Sequence, residues 1–160
     1  MSESGPKKPM APRCEHIAEL VIRIDPPIEI GDIGGAERRV IPIIGGTVKG
    51  PRLNGVIKAA GADFQIIRAD GVADLVARYV IEADDGALIY IKNAGLRHGP
   101  PELIAKLRRG EPVDPSLIYF RTTPRFETAA PAYAFLTRHI FIGMGARFPD
   151  RVELSLWMLL

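Results

Sequence analysis

The stretch ADFQIIRADGVADLVARYVIEADDGALIYIKN, residues 62–93, decides the fold. Three runs rich in β-branched and aromatic residues, Ala62–Arg68, Ala73–Glu82 and Ala87–Asn93, are separated by Ala69-Asp70-Gly71 and Asp84-Asp85-Gly86. Asp-Gly between alternating runs marks a tight turn, because glycine accepts the backbone angles that a hairpin needs. The stretch therefore predicts three consecutive antiparallel strands, a meander.

The flanks extend this pattern in both directions. EHIAELVIRI, residues 15–24, reads as a strand stopped by Asp25-Pro26-Pro27. Ile28–Ala36, with Gly31, Gly34 and Gly35, reads as a loop at a barrel mouth. Pro42 makes Val40–Ile44 an edge or bulged strand, and Gly45–Lys49 and Leu53–Lys58 are short extended segments bent at Gly45, Gly46, Gly50 and Gly55. PELIAKLRR, residues 101–109, is the one convincing helix. Proline suits its first position, Leu103, Ile104 and Leu107 form an apolar stripe, and Gly110 stops it. Further strands are expected at Leu117–Thr123, Arg138–Gly143 and Val152–Leu159, with an irregular excursion over Pro124–Thr137. About eight to ten strands and one short helix leave an all-β sandwich or a closed antiparallel barrel. The barrel is preferred, since closure removes edges and the glycine-rich segments provide corners.

Length and composition agree with one domain. The chain has 160 residues, 47% hydrophobic and 25% charged, against roughly 150 residues for an average domain. Residues 1–13 read as a flexible tail and residues 14–160 as the barrel domain. The 16 glycines and 14 prolines exceed average usage and suit many turns. A net charge of +2 lacks the dense basic stripe that phosphates require, so no nucleic-acid partner is expected. The split of the 21 basic residues is 15 Arg to 6 Lys, and arginine offers a planar fork to carboxylates and enolates. The single cysteine, Cys14, excludes an intrachain disulfide. No run approaches 18 apolar residues, so no membrane span is expected and cytoplasmic residence follows by default.

Most catalytic signatures are absent: no Gly-x-Ser-x-Gly, no phosphate-binding loop and no His-Glu-x-x-His occurs. Gly143-Met144-Gly145 lacks the third glycine and the strand-to-helix setting of a dinucleotide site. Cys14 and His16 share a strand face, but His98 and His139 have no ligand spacing with them, so neither metal nor other cofactor is expected. The informative residues are polar ones embedded in strands. Arg78 shares a face with Asp74, Val76, Val80 and Glu82, and Tyr79 shares the other with Leu75, Ala77 and Ile81. Apolar alternation favours Tyr79 inward, although an inward Arg78 with a carboxylate or ligand stays open. Arg121 alternates with Tyr119 and Thr123 against Ile118, Phe120 and Thr122, and its face is equally open. Asp63 or Glu127 offers a base, while Arg78, Arg121 or Tyr133 offers a donor for a developing oxyanion. The structural alternative is an Arg–Glu pair that holds an irregular loop.

The runs Gly61-Ala62-Asp63-Phe64-Gln65, Arg68-Ala69-Asp70-Gly71, Ala77-Arg78-Tyr79, Asn93-Ala94-Gly95-Leu96-Arg97 and Tyr119-Phe120-Arg121-Thr122, with Phe126-Glu127-Thr128, resemble the domain-of-unknown-function family 3237. The resemblance spans about Cys14 to Leu160. It implies a closed, calycin-like antiparallel β-barrel with a cavity, and no established reaction. Phe64, Arg68, Tyr79, Asn93, Arg97, Phe126 and Phe135 are candidate ligand contacts. The family pattern often has tryptophan where this chain has Phe64 and Phe135, which keeps a ring and removes an indole donor.

Three functions fit these readings. The first is a cofactor-independent isomerase or lyase that moves a proton on a carbonyl-bearing cyclic or aromatic substrate. The second is a lipocalin-like barrel binding an apolar small molecule, and the third is a structural protein without ligand. The last strand is apolar on both faces, with Leu154, Leu156 and Met158 alternating with Ser155, Trp157 and Leu159, so a helix or a second subunit in a homodimer is expected to cover one face.

Overall fold

The computed structural model describes residues 8–160; the first seven residues of the expected tail lie outside the described residues. Among the described residues, ten strands, one α-helix and two 3-10 segments follow one another. The strands are β1 (Cys14–Ile24), β2 (Ile28–Asp32), β3 (Glu37–Lys49), β4 (Gly55–Ile57), β5 (Gly61–Ile67), β6 (Ala73–Ala83), β7 (Leu88–His98), β8 (Tyr119–Thr128), β9 (Phe141–Arg147) and β10 (Arg151–Leu159). The helix α1 spans Pro101–Arg108, with proline in its first turn and Gly110 at φ 75° just beyond it.

The meander of residues 62–93 is present as expected, with Tyr79 inward at 1% exposure and Arg78 outward. Every strand pairing is antiparallel, and the path β1-β10-β9-β8-β7-β6 continues through β5 to β3 and back to β1, closing the sheet. Eight positions make up the circumference because β4 and β5 occupy one place between β3 and β6. The closure is tight almost everywhere, but β8 and β9 pair only through Arg121–Met144 and Thr122–Gly143.

Several boundaries differ from expectation. Ile28–Asp32 is a strand rather than a loop, since it pairs with Glu37–Val40 of β3. Pro42 does not make β3 an edge, since the strand runs for 13 residues with neighbours on both sides, but the bulged alternative is met: the register with β1 steps from Arg23–Gly45 to Ile24–Ile43 and leaves Ile44 as the extra residue. Gly45 and Gly46, with φ of 135° and 154°, let β3 bend where its partners change from β2 and β5 to β1 and β4. At Gly46 a Cβ would lie 2.0 Å from the Val21 carbonyl oxygen, so only glycine lets β3 approach β1 there. β8 continues through Pro124 to Thr128, and the expected excursion shrinks to residues 129–137, most of it the kinked 3-10 segment Pro131–Thr137.

The two ends of the barrel are finished differently. One end is packed by Ile17, Ile81, Ile89, Leu136, Phe141 and Leu156, each at most 2% exposed. Leu136 belongs to the 3-10 segment, which plugs this end. At the other end α1 lies across the mouth, tethered by a 2.7 Å bond from Arg108 to Glu37 of β3. The outer face of β10 is not covered by α1; there Trp157 packs on His16 at 4.9 Å and donates to Ser155 Oγ at 2.9 Å.

Two glycines separate steric need from conformational preference. Gly46→Ala is expected to lower stability by about 3 kcal/mol, since backbone must move. Gly71→Ala, at φ 86° with open space around it, is expected to lose about 1 kcal/mol. Urea denaturation midpoints of the two variants check the order.

Candidate functional site

The alternation of each strand sends every second side chain inward, so cross-strand neighbours form rungs inside the barrel. Tyr79 and Ile91 are paired across β6 and β7 and form the floor above the packed end. On the next rung Asp63 of β5 pairs with Ala77 of β6, which pairs with Asn93 of β7. Above them Arg39 pairs with Gln65, Gln65 with Leu75, and Gly95 with Thr122. At the mouth Arg97 pairs with Phe120, and its guanidinium lies 5.6 Å from that ring. Arg147 at the end of β9 completes this rim.

Two glycines of β9 shape the wall. A Cβ on Gly143 would come within 2.1 Å of Thr122 Oγ1, and one on Gly145 within 2.7 Å of the Phe120 ring. The Gly143-Met144-Gly145 run thus makes room for side chains from β8.

These rungs border two spaces. An inner cavity of about 40 Å³ is lined by Asp63, Tyr79, Asn93, Thr122 and Arg147, with Ile22, Ile41 and Leu154 among its apolar walls. An outer cleft of about 260 Å³ lies between the mouth and α1, lined by Arg39, Arg97, Arg108 and Arg147 together with Ile67, Ala73, Ile104 and Leu107. Arg147 borders both.

The polar atoms here lack partners to an unusual degree. Asp63 Oδ2 accepts a 2.7 Å bond from Gln65 Nε2, but Asp63 Oδ1, Gln65 Oε1, Tyr79 OH, Asn93 Oδ1, Thr122 Oγ1, Arg39 Nε and Arg97 Nη1 are sealed from solvent with no hydrogen bond among the described residues. Each such orphan costs about 1–3 kcal/mol. Burial raises the Asp63 carboxyl above its ordinary range; the Gln65 bond and the charges of Arg97, Arg147 and Arg39 oppose that rise without cancelling it. Burial likewise holds the Tyr79 phenol above its usual value, helped by Asp63, so it stays protonated. The same loss of hydration lowers Arg39 and Arg147 and draws Arg97 down to about 10, leaving all three charged at neutral pH. Arg39 has only a loose 3.8 Å ion pair with Glu29, and neither Arg97 nor Arg147 forms one among the described residues.

Of the residues singled out from sequence, Asp63, Tyr79, Asn93 and Arg97 meet in this region. The others do not. Arg78 points outward, 3.4 Å from Tyr90 OH. Arg121 points outward too, donating to the Phe120 carbonyl at 2.9 Å and lying 5.3 Å from the Tyr119 ring. Glu127 is exposed on the same outer face of β8. Tyr133 sits in the 3-10 plug at the far end, facing Asp84 and Asp85. Phe126 is inward but packs edge-on against Phe141 at 5.1 Å in the filled end, and Phe135 there lies under Arg52 at 4.0 Å. Phe64 is 40% exposed on the barrel exterior, and Arg68 binds Asp70 within its turn. Strand parity explains these outcomes: Arg78, Arg121 and Glu127 are one residue out of phase with the core positions.

Arg39, Gln65, Thr122 and Arg147 were missed. Their signal was phase: Arg39 alternates with Ile41 and Ile43, and Arg147 with Gly143 and Gly145. Among the described residues no group of three or more His, Cys, Asp or Glu is placed to hold a metal ion.

Known proteins share this arrangement of strands. A UPF0311 protein of Rhodopseudomonas palustris (strain TIE-1) is 50% identical over 153 residues, covering 94% of this chain and 100% of that protein. The crystal structure of a conserved protein of unknown function from Rhodopseudomonas palustris superposes with a TM-score of 0.92 at 46% identity, covering 95% of this chain and 100% of that one. A structure described as an enzyme from Penicillium herquei has the same fold at TM-score 0.72 and 18% identity, covering 97% of this chain and 99% of that one. The chain belongs to the family described as "Protein of unknown function (DUF3237)", whose model matches residues 12–159.

Proposed function

We propose that the protein is a cofactor-independent acid–base enzyme, an isomerase or lyase acting on a carbonyl-bearing cyclic or aromatic small molecule. The observation that carries this reading is the bare Oδ1 of Asp63, sealed inside the cavity beside Tyr79 OH and Thr122 Oγ1. The inner cavity suits the reacting edge of a substrate, and the outer cleft suits its body. Asp63 Oδ1 takes a proton from the carbon next to the carbonyl. The C–H electron pair becomes the C=C bond of the enolate and the carbonyl π pair moves to the oxygen, where the Tyr79 hydroxyl and the Arg147 guanidinium stabilise the negative charge. Returning that proton to another carbon gives an isomer; expelling a β-leaving group gives elimination, with Asp63 protonating the departing group.

Asp63 takes the role considered for Glu127, and Tyr79 with Arg147 that considered for Arg78, Arg121 and Tyr133. Gln65 is a positioning residue that fixes the carboxylate through Oδ2. The same fold in a protein described as an enzyme fits this reading. A carrier for apolar ligands is the weaker alternative, because such a ligand leaves the orphaned polar wall unpaired.

Solvent-deuterium incorporation beside the carbonyl of cyclic enones, lactones and hydroxylated aromatic ketones, followed by proton NMR in D2O, tests the proposal. Wild type accelerates exchange for at least one of them, Asp63→Asn loses about 100-fold or more, and Glu127→Gln matches wild type. Equal exchange by Asp63→Asn and wild type overturns Asp63 as the base. The pH dependence has a defined sign: as pH falls through the raised Asp63 value the carboxylate is protonated and activity disappears. The acidic limb of kcat/KM therefore lies above the ordinary aspartate value of about 4.

A further inference from the structure

The acid–base step uses Asp63, Tyr79 and Arg147 and leaves two buried guanidiniums without work. Arg39 and Arg97 are 4% and 8% exposed, line the outer cleft, and leave Nε of Arg39 and Nη1 of Arg97 with no hydrogen bond. Arg147 adds a third positive charge on the same wall. The carboxylates nearby do not neutralise them. Glu37 is engaged by Arg108 at 2.7 Å, Glu29 reaches Arg39 only at 3.8 Å from a half-exposed position, Asp70 is bound to Arg68, and Asp63 is a single charge serving three arginines.

Buried arginine without a partner is costly, and the geometry that relieves it is a planar oxyanion accepting from two forks. Much of the remaining lining is apolar: Ile67 and Ala73 lie on the barrel rim beside the arginines, with Ala73 directly across from Arg97, and α1 contributes Ile104 and Leu107. We infer that the outer cleft binds a carboxylate group of the substrate, held by Arg39 and Arg97 while an apolar ring or chain lies against α1. The substrate is thus an organic acid whose carboxylate is separate from its reacting carbonyl. This inference rests on the acid–base reading only for where the reacting end lies; anion binding stands on the arginines alone.

Isothermal titration and thermal unfolding with benzoate, benzamide and inorganic phosphate test it. Benzoate binds and raises the Tm of the wild type, benzamide at the same concentration does not, and phosphate binds at least 10-fold more weakly than benzoate because it has no apolar body. Arg97→Gln weakens benzoate binding 10-fold or more, with Arg39→Gln as the second variant should the first fail to fold. Asp63→Asn binds benzoate several-fold more tightly than wild type, because a negative charge near the arginines has gone. Equal binding of benzoate and benzamide, phosphate binding as tight as benzoate, unchanged affinity in the arginine variants, or weaker binding in Asp63→Asn overturns the inference. The two proposals fail separately. Benzoate binding with exchange unaffected by Asp63→Asn sinks the base alone, and absent benzoate binding with exchange lost in Asp63→Asn sinks the anion site alone.

Discussion

β1 bonds along one edge to the last strand, from Cys14–Leu159 to Arg23–Arg151, and along the other to β3 from Glu19–Lys49 to Ile24–Ile43. This double pairing turns a sheet into a barrel, and the rest of the molecule follows from it. Closure leaves each of the eight ring positions a neighbour on both sides, with the short β2 outside the ring paired to β3 alone, and creates an inside that water reaches through the ends. Each strand must then present one face to that inside. Parity becomes an absolute constraint, since a slip of one residue exchanges core and solvent along a whole strand.

The interior divides by chemistry rather than by element. β7 supplies Ile89 to the packed end and Asn93 and Arg97 to the other, and β8 likewise supplies Phe126 to one and Thr122 to the other a few residues away. Packing at one end recovers the transfer free energy of large apolar side chains, roughly 1.5–3 kcal/mol for each fully buried one. The polar end works against stability, with several buried atoms lacking partners. The packed end fixes the frame, and the frame holds unpaired groups at positions they would not choose alone, the division on which the proposed function rests.

Much of the frame was legible in the sequence because hairpin chemistry is local. Asp70-Gly71 and Asp85-Gly86 announce turns, and the alternation of Leu75, Ala77, Tyr79 and Ile81 announces the inward face of β6. The lengths of β7 and β8 were not legible, because Gly95 and Pro124 look like breakers and are held in strand by their pairings with Thr122 and Asn93. Site residues divided the same way. Tyr79, Asn93 and Arg97 could be singled out, whereas Arg39 and Arg147 come from strands remote in sequence and reach Asp63 only through the closed register. Arg78, Arg121 and Glu127 carried the right chemistry on the wrong parity. Sequence shows which groups a strand carries; the handedness of each rung is a property of the whole ring.

The two-residue contact between β8 and β9 gives this ring an uneven stiffness. Elsewhere, widening the barrel means breaking long ladders at once, as between β6 and β7 or β1 and β10. At the β8–β9 seam it means parting one short rung, and that rung carries Thr122 and Gly143, which form part of the site wall. The barrel therefore behaves as a split collar with its slit beside the cavity. On the reading proposed above, the bore would follow the girth of a substrate at this seam while the packed end stays shut, and preference for charge would rest with Arg39 and Arg97, held on the longer β3–β5 and β6–β7 ladders.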